Sequence, residues 1–257
     1  MKFLQSLSAQ VSLFTQGAIL ALGVVFILLD VITESLNPVI DLAWVTVLVC
    51  GLPLLINSVQ SIWERLEIHA NFLIVVAMVA LISIGDYHTA AYVGLIVQAG
   101  FFLEQLIMGE SHYTVDDDML PTMPAQLVAM RQGINNYSSV IVVAVLLLSM
   151  GSFALTQDFI HTITLLLVLC PCSLELILVA LMMGSLVDDA SPVSELSKGT
   201  KQSHLGLLIV SIVFHVAIIC VGVLGLIAPV TAVALHGLAR LGLVYNLKVL
   251  NSSLCIA

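Results

Sequence analysis

The sequence predicts an all-α fold: a polytopic membrane helix bundle of eight transmembrane helices with a kinked second helix. Three observations lead there. The 257 residues are 60% hydrophobic and only 9% charged, whereas soluble domains carry about 25% charged residues. So few charges cannot wet the surface of a compact soluble fold, and a bilayer accepts the apolar side chains instead. Apolar runs then recur at 12–32, 39–60, 68–85, 88–108, 138–156, 159–187, 204–226 and 228–249. Most approach the roughly 20 residues that a spanning helix needs. They are continuous and not alternating, which favours helices over a barrel. Finally, Lys and Arg fall on one side of these runs.

With the N-terminus inside, Lys2, Arg65, Arg131, Lys198 and Lys201 lie in inner segments and Lys248 at the inner end of the last helix. The outer connections, 33–38, 86–87, 157–158 and the turn at Ala228, contain no Lys or Arg. This positive-inside pattern places both termini in the cytoplasm of an integral membrane protein. Arg240 is the exception, because it falls within the eighth run.

The first run follows a start, MKFLQSLSAQVSLF, with no small-residue cleavage site after it, so it is expected to be a mature helix. The second contains Gly51-Leu52-Pro53, where a kink is expected. Beyond it, LLINSVQSIWERLE (54–67) mixes apolar and polar residues at helical spacing. That predicts an amphipathic helix on the membrane interface, anchored by Trp63. The third run is short and the sixth long. Two inner loops, 109–137 and 188–203, exceed ordinary turns, but neither reaches the length of a typical domain of about 100 residues. The chain therefore reads as a single transmembrane domain over 1–257.

No G-x-x-x-x-G-K-[ST] or G-x-G-x-x-G is present, so no ATP site is expected. Seven scattered Lys and Arg exclude a nucleic-acid partner. Five cysteines, four of them inside apolar runs, do not form a disulfide framework.

The sixth run carries the chemistry. In LLLVLCPCSLELILVALMMG (165–184) a proline sits between two cysteines. Proline removes an internal hydrogen bond and opens the helix at 167–171. The freed carbonyls need partners, which a water-lined or metal-binding cavity supplies. Cys170 and Cys172 flank the break, and thiolates select zinc, copper and similar ions. The alternative is a proline-kinked helix with two small apolar cysteines.

Taken together, the eight runs, Gly51 at the kink, LEIHANFLIVVA (66–77), GDYHTAAYVGLIVQAGFFLEQL (85–106), VLCPCSLELI (168–177) and GLIAPVTAVALHGLARLGLVYNLKVL (225–250) resemble the membrane domain of a heavy-metal-transporting P-type ATPase. That family has eight membrane helices, a Gly-kinked second helix serving as a platform, and C-P-C in the sixth. The resemblance implies transition-metal binding or translocation, zinc or copper being the ion, in a bacterial plasma membrane. The family's D-K-T-G-T, G-D-G-x-N-D and T-G-E-S motifs are absent, so the chain is expected to have no ATPase activity of its own. Gly109-Glu110-Ser111 lacks the threonine, and Asp188-Asp189-Ala190 does not replace the phosphorylation motif. VDDDML (115–120) is either the flank of an actuator motif or an acidic, solvated linker. The expected partners are the bilayer, the metal ion and separate soluble ATPase domains on another chain.

The resemblance also singles out His236, ten residues before Asn246, where the family places the acidic or thioether group that helps select the metal. His215 lies mid-span in the seventh run, near the family's lysine or Tyr-Asn pair. Neither matches the family's residue type; imidazole with thiolate suits zinc and also copper. The expected metal ligands are thus Cys170, Cys172, His236 and His215. Glu175, three residues past Cys172, and Arg240, four past His236, are expected to form an ion pair beneath the metal, since an intramembrane charge is costly unless paired. Asp86 and His88 at the outer mouth and Glu104 near the inner end of the fourth run are expected to guide ions. Met108, Met119, Met123 and Met130 are either a soft-metal access route or core filler. The rival expectations are a non-transporting regulatory or assembly membrane protein that keeps the scaffold, and a minimised or designed bundle.

Overall fold

A computed structural model of the chain describes residues 13–34, 42–65, 71–108, 125–171 and 196–254. Among these residues the protein is entirely helical, with eight helices. They are α1 (Leu13–Glu34), α2 (Ala43–Arg65), α3 (Asn71–Ser83), α4 (Tyr87–Met108), α5 (Ala125–Thr156), α6 (Phe159–Val168), α7 (Leu196–Val223) and α8 (Pro229–Leu254). Four of them, α1, α2, α4 and α5, contain stretches of 20 or 21 residues long and apolar enough to cross a membrane. The apolar helices at Asn71–Ser83, Phe159–Val168, Ile209–Val223 and Pro229–Tyr245 are shorter. At 1.5 Å per residue, the 13 residues of α3 reach about 20 Å, less than the roughly 30 Å of hydrocarbon.

Helix α4 is central. It packs against α1, α2, α3 and α8, while α8 also meets α6 and α7. Short α3 buries Leu73, Ile74, Val75, Ala77, Met78 and Leu81 on one broad face, while Val79 on the opposite face is exposed. Helices α1, α5 and α7 keep broad exposed faces of Val, Leu, Ile and Phe, the side expected to meet lipid.

Close helix contacts depend on small residues. A Cβ placed on Gly94 of α4 would lie 2.9 Å from Met78 Cε and 3.3 Å from Cys50 Cβ, and one on Gly23 of α1 would lie 2.8 Å from Cys50 Sγ. In a membrane, where apolar surface gains little by leaving lipid, such backbone approach supplies the packing that holds helices together.

Two tight turns are written in glycine. Gly85 after α3 has φ 83° and Gly225 after α7 has φ 69°. In each turn two backbone bonds close a Schellman motif: Gly85 N to Ile82 O and Asp86 N to Leu81 O, then Gly225 N to Gly222 O and Leu226 N to Val221 O. Between α5 and α6 the left-handed position is Gln157, φ 57°. Asp158 follows as N-cap of α6, its carboxylate accepting from His161 N at 3.1 Å. Asp158→Ala is expected to lower stability by about 1 kcal/mol, measured by unfolding in detergent; an unchanged midpoint would show that the cap is dispensable.

Several sequence expectations change here. Helix α2 runs through Gly51 and Pro53 to Arg65, so the stretch from Leu54 continues it instead of forming a separate interfacial helix. The buried positions Val47, Cys50, Leu54 and Ser58 form one stripe that passes the proline, and packing along that stripe keeps the helix going. Trp63 is exposed near its end, as an interfacial anchor requires. Half of the loop predicted at 109–137 is helical, because α5 begins at Ala125, just after Pro124. Likewise α7 begins at Leu196, inside the loop predicted at 188–203. The sixth run is not one helix over 159–187: α6 stops at Val168, and residues 172–195 lie outside the described residues.

Candidate functional site

The end of α6 is set by Pro171. A residue before proline is pushed away from helical ψ, and the proline nitrogen cannot donate. Accordingly Leu169 closes the helix with its N–H on Leu165 O at 2.9 Å, and Leu169–Pro171 form a turn. The turn leaves Cys170 buried, 5% exposed, against α8 and α4.

Cys170 and His236 line one cleft of about 50 Å³, together with Gly100, Glu104, Gly237 and Arg240. That volume has room for more than one water. Part of the space comes from Gly100 and Gly237, since a Cβ on either would meet no atom within 4 Å. The remaining walls are aliphatic or aromatic, including Ile74, Phe101 and Leu167.

His215 reaches the same neighbourhood from α7. Its ring meets that of His236 edge to face, centroids 5.3 Å apart, and both histidines are buried. His215 Nδ1 is 3.0 Å from Ser211 O. A carbonyl only accepts, so Nδ1 carries the proton and the neutral ring's lone pair is on Nε2. A backbone carbonyl that fixes the tautomer this way is the usual second partner of a metal-ligating imidazole.

Arg240 sits one turn beyond His236 on α8. Its Nη2 is 2.8 Å from Glu104 Oε2 on α4, with both side chains about a fifth exposed, 22% and 23%. The guanidinium also lies over the Phe101 ring, 5.1 Å from its centroid. Among the described residues the carboxylate that Arg240 meets is Glu104, because helix α8 packs directly along α4. Glu175 and Cys172 lie outside the described residues.

The expected outer-mouth residues separate. Asp86 accepts from Thr89 N at 3.1 Å and so caps the start of α4. His88 Nδ1 lies 3.2 Å from Asp30 Oδ2, and Asp30 Oδ1 accepts from Leu42 N at 2.8 Å. Asp30, buried in α1, was missed from sequence. The available signal was a lone carboxylate within an uncharged apolar run, which is costly unless paired.

Among the described residues, no group of three or more His, Cys, Asp or Glu side chains is placed to hold a metal ion. Cys50, Cys170 and Cys220 form no disulfide. The structure thus brings Cys170, His236 and His215 into one region, with Glu104 and Arg240 beside them, while Asp86 and His88 stand apart. No protein-family model, curated protein or solved structure matches the chain.

Proposed function

We propose that this chain is an integral membrane protein that binds, and passes, a transition-metal cation of the zinc or copper type at the Cys170–His236–His215 region. The observation that carries this is the convergence of a thiol and an imidazole on one cleft, with a second imidazole against the first. Thiolate with imidazole is a donor set for zinc and copper. Cys172, one residue beyond Pro171, would add a second sulfur. The order of eight helices, with C-P-C directly after the sixth, supports the resemblance to the membrane domain of heavy-metal P-type ATPases. On this view soluble ATPase domains act from another chain or another part of a longer protein.

The Arg240–Glu104 pair favours a second reading. A guanidinium in the cleft stands where a passing cation would be repelled, so the bundle would hold a metal without conducting it, as a regulatory or assembly subunit. Metal analysis of the purified protein tests the site. About one zinc or copper per chain is expected in wild type, and an affinity lower by at least about tenfold in Cys170→Ser/Cys172→Ser and in His236→Ala, since even loss of a ligand's hydrogen-bond partner costs that much. Equal metal content in all three proteins would reject it. Uptake into vesicles then separates conduction from simple binding.

A further inference from the structure

We propose that Asp30 and His88 form a proton-loading pair at the Asp86 end of the bundle, in which His88 carries protons between water and a carboxylate buried in an apolar spanning stretch. This rests on the proposed metal passage for its use, but not for its geometry. Three observations converge. Asp30 is the only ionisable residue of the stretch Phe14–Thr33, and a charge at membrane depth is costly enough to mark a functional site with a partner. Its side chain is 9% exposed, while His88, whose Nδ1 lies 3.2 Å from Asp30 Oδ2, is 48% exposed, so the imidazole connects the buried carboxylate with water. Asp30 Oδ1 accepts from Leu42 N at 2.8 Å, which holds the carboxylate fixed against the ring.

The surrounding helices offer no competing cation. Helix α1 packs against α2 and α4; α1 and α4 contain no Lys or Arg, and α2 has only Arg65 at its far end. The other titratable residues of these three helices near the pair are Glu34 at the end of α1, Cys50 on α2, and Tyr87 and Tyr92 on α4, with Asp86 just before α4. Asp86 accepts from Thr89 N, and Tyr87 stacks on Trp44 with centroids 4.8 Å apart. An ionised carboxylate only accepts, so Nδ1 carries the proton of the neutral ring and Nε2 its lone pair. A proton from water adds at Nε2, the Nδ1 proton crosses to Asp30 Oδ2, and the ring is left neutral with its hydrogen on Nε2. The reverse sequence returns the proton. The pair stands apart from the metal cleft, because His88 meets α1 whereas Phe101 and Glu104 meet α8. Gly100 of the cleft is 12 residues further along α4, about 18 Å. A proton held at Asp30 thus competes for none of the sulfur and imidazole donors. In a chain without ATPase motifs, it couples cation passage to a proton gradient.

Infrared difference spectra of the purified protein across a pH jump read the carboxyl groups without needing metal. A protonated-carboxyl band that is lost in Asp30→Asn is expected. Its rise is expected to be about a hundredfold slower in His88→Gln, the lower end of what a positioned proton-transfer group contributes, and to recover when imidazole buffer is added. Should Asp30→Asn fail to fold, Asp30→Glu is expected to shift the band instead of removing it. Absence of an Asp30-dependent band, a rise in His88→Gln as fast as in wild type, or a slow rise that imidazole does not restore overturns the pair. Metal content, measured on the wild-type chain, distinguishes the failures. Bound metal without the band removes the proton pair alone; the band with its imidazole rescue but without metal removes the metal site and leaves the pair.

Discussion

Gly222→Ala is expected to lower stability by about 2 kcal/mol, within the roughly 1–3 kcal/mol that overpacking a tight core costs. The added methyl on α7 would lie 2.9 Å from Val168 Cγ2, 3.1 Å from Cγ1 and 3.3 Å from Cβ. Val168 cannot step aside, because it is 1% exposed and its branched side chain has one favoured rotamer in a helix. Helix α7 or α6 must therefore shift. Gly94→Ala is the informative contrast. Its closest neighbour is the terminal methyl of Met78, the far end of a flexible side chain, so a smaller loss is expected. Unfolding in detergent measures both. The decisive comparison is Gly222→Ala/Val168→Ala, which is expected to be at least as stable as Val168→Ala alone, because the second truncation makes room for the first. Simple addition of the two single losses would show that Val168 is not what Gly222 accommodates. Val168 is two residues before Cys170, so the same substitution also displaces the thiol from the cleft.

Arg240→Ala is expected to cost a further about 2 kcal/mol by a different route. It leaves the Glu104 carboxylate, roughly three-quarters buried, without the guanidinium that faces it at 2.8 Å. Stranding one partner of a fully buried pair costs about 3–5 kcal/mol, and partial exposure reduces that. Replacing both partners by apolar side chains removes the stranded charge, so Glu104→Leu/Arg240→Met is expected to unfold near the wild-type midpoint. Equal losses in the single and the double variant would show that the pair is not what stabilises this end of the bundle.

Much of the helical plan was legible in the sequence. Each of the eight apolar runs corresponds to a helix among the described residues, and the turns at Gly85, Asp158 and Gly225 fall where the runs break. Hydrophobic composition, Gly at left-handed positions and Asp at a helix start are local signals that depend on neighbours in the chain. Helix ends beyond the apolar core were less legible. Residues 125–137 and 196–203 are polar enough to read as loop, yet they extend α5 and α7 because nothing in them stops a helix already begun. The third run, short in the sequence, is a helix of 13 residues in α3.

The candidate site divides the same way. C-P-C announced the break after α6, and His236 and His215 were singled out by their places in the last two apolar runs under the resemblance. The pairing of the charged residues could not be read in this way. Arg240 was expected to meet Glu175 because each stands within a helical turn of an expected metal ligand; among the described residues it meets Glu104, 136 positions away in sequence, because α8 lies against α4. Asp30 meets His88 for the same reason, across α1 and α4. By itself the sequence determined that this protein is a set of apolar helices suited to lipid, that turns fall at Gly85, Asp158 and Gly225, and that several polar side chains within the apolar runs need partners. Only the tertiary structure decided which partner each one found. Local conformation follows from neighbours in the chain, whereas ion pairs and shared clefts depend on which helices lie side by side, and that is settled by small-residue contacts such as Gly94 on Met78 and Gly222 on Val168.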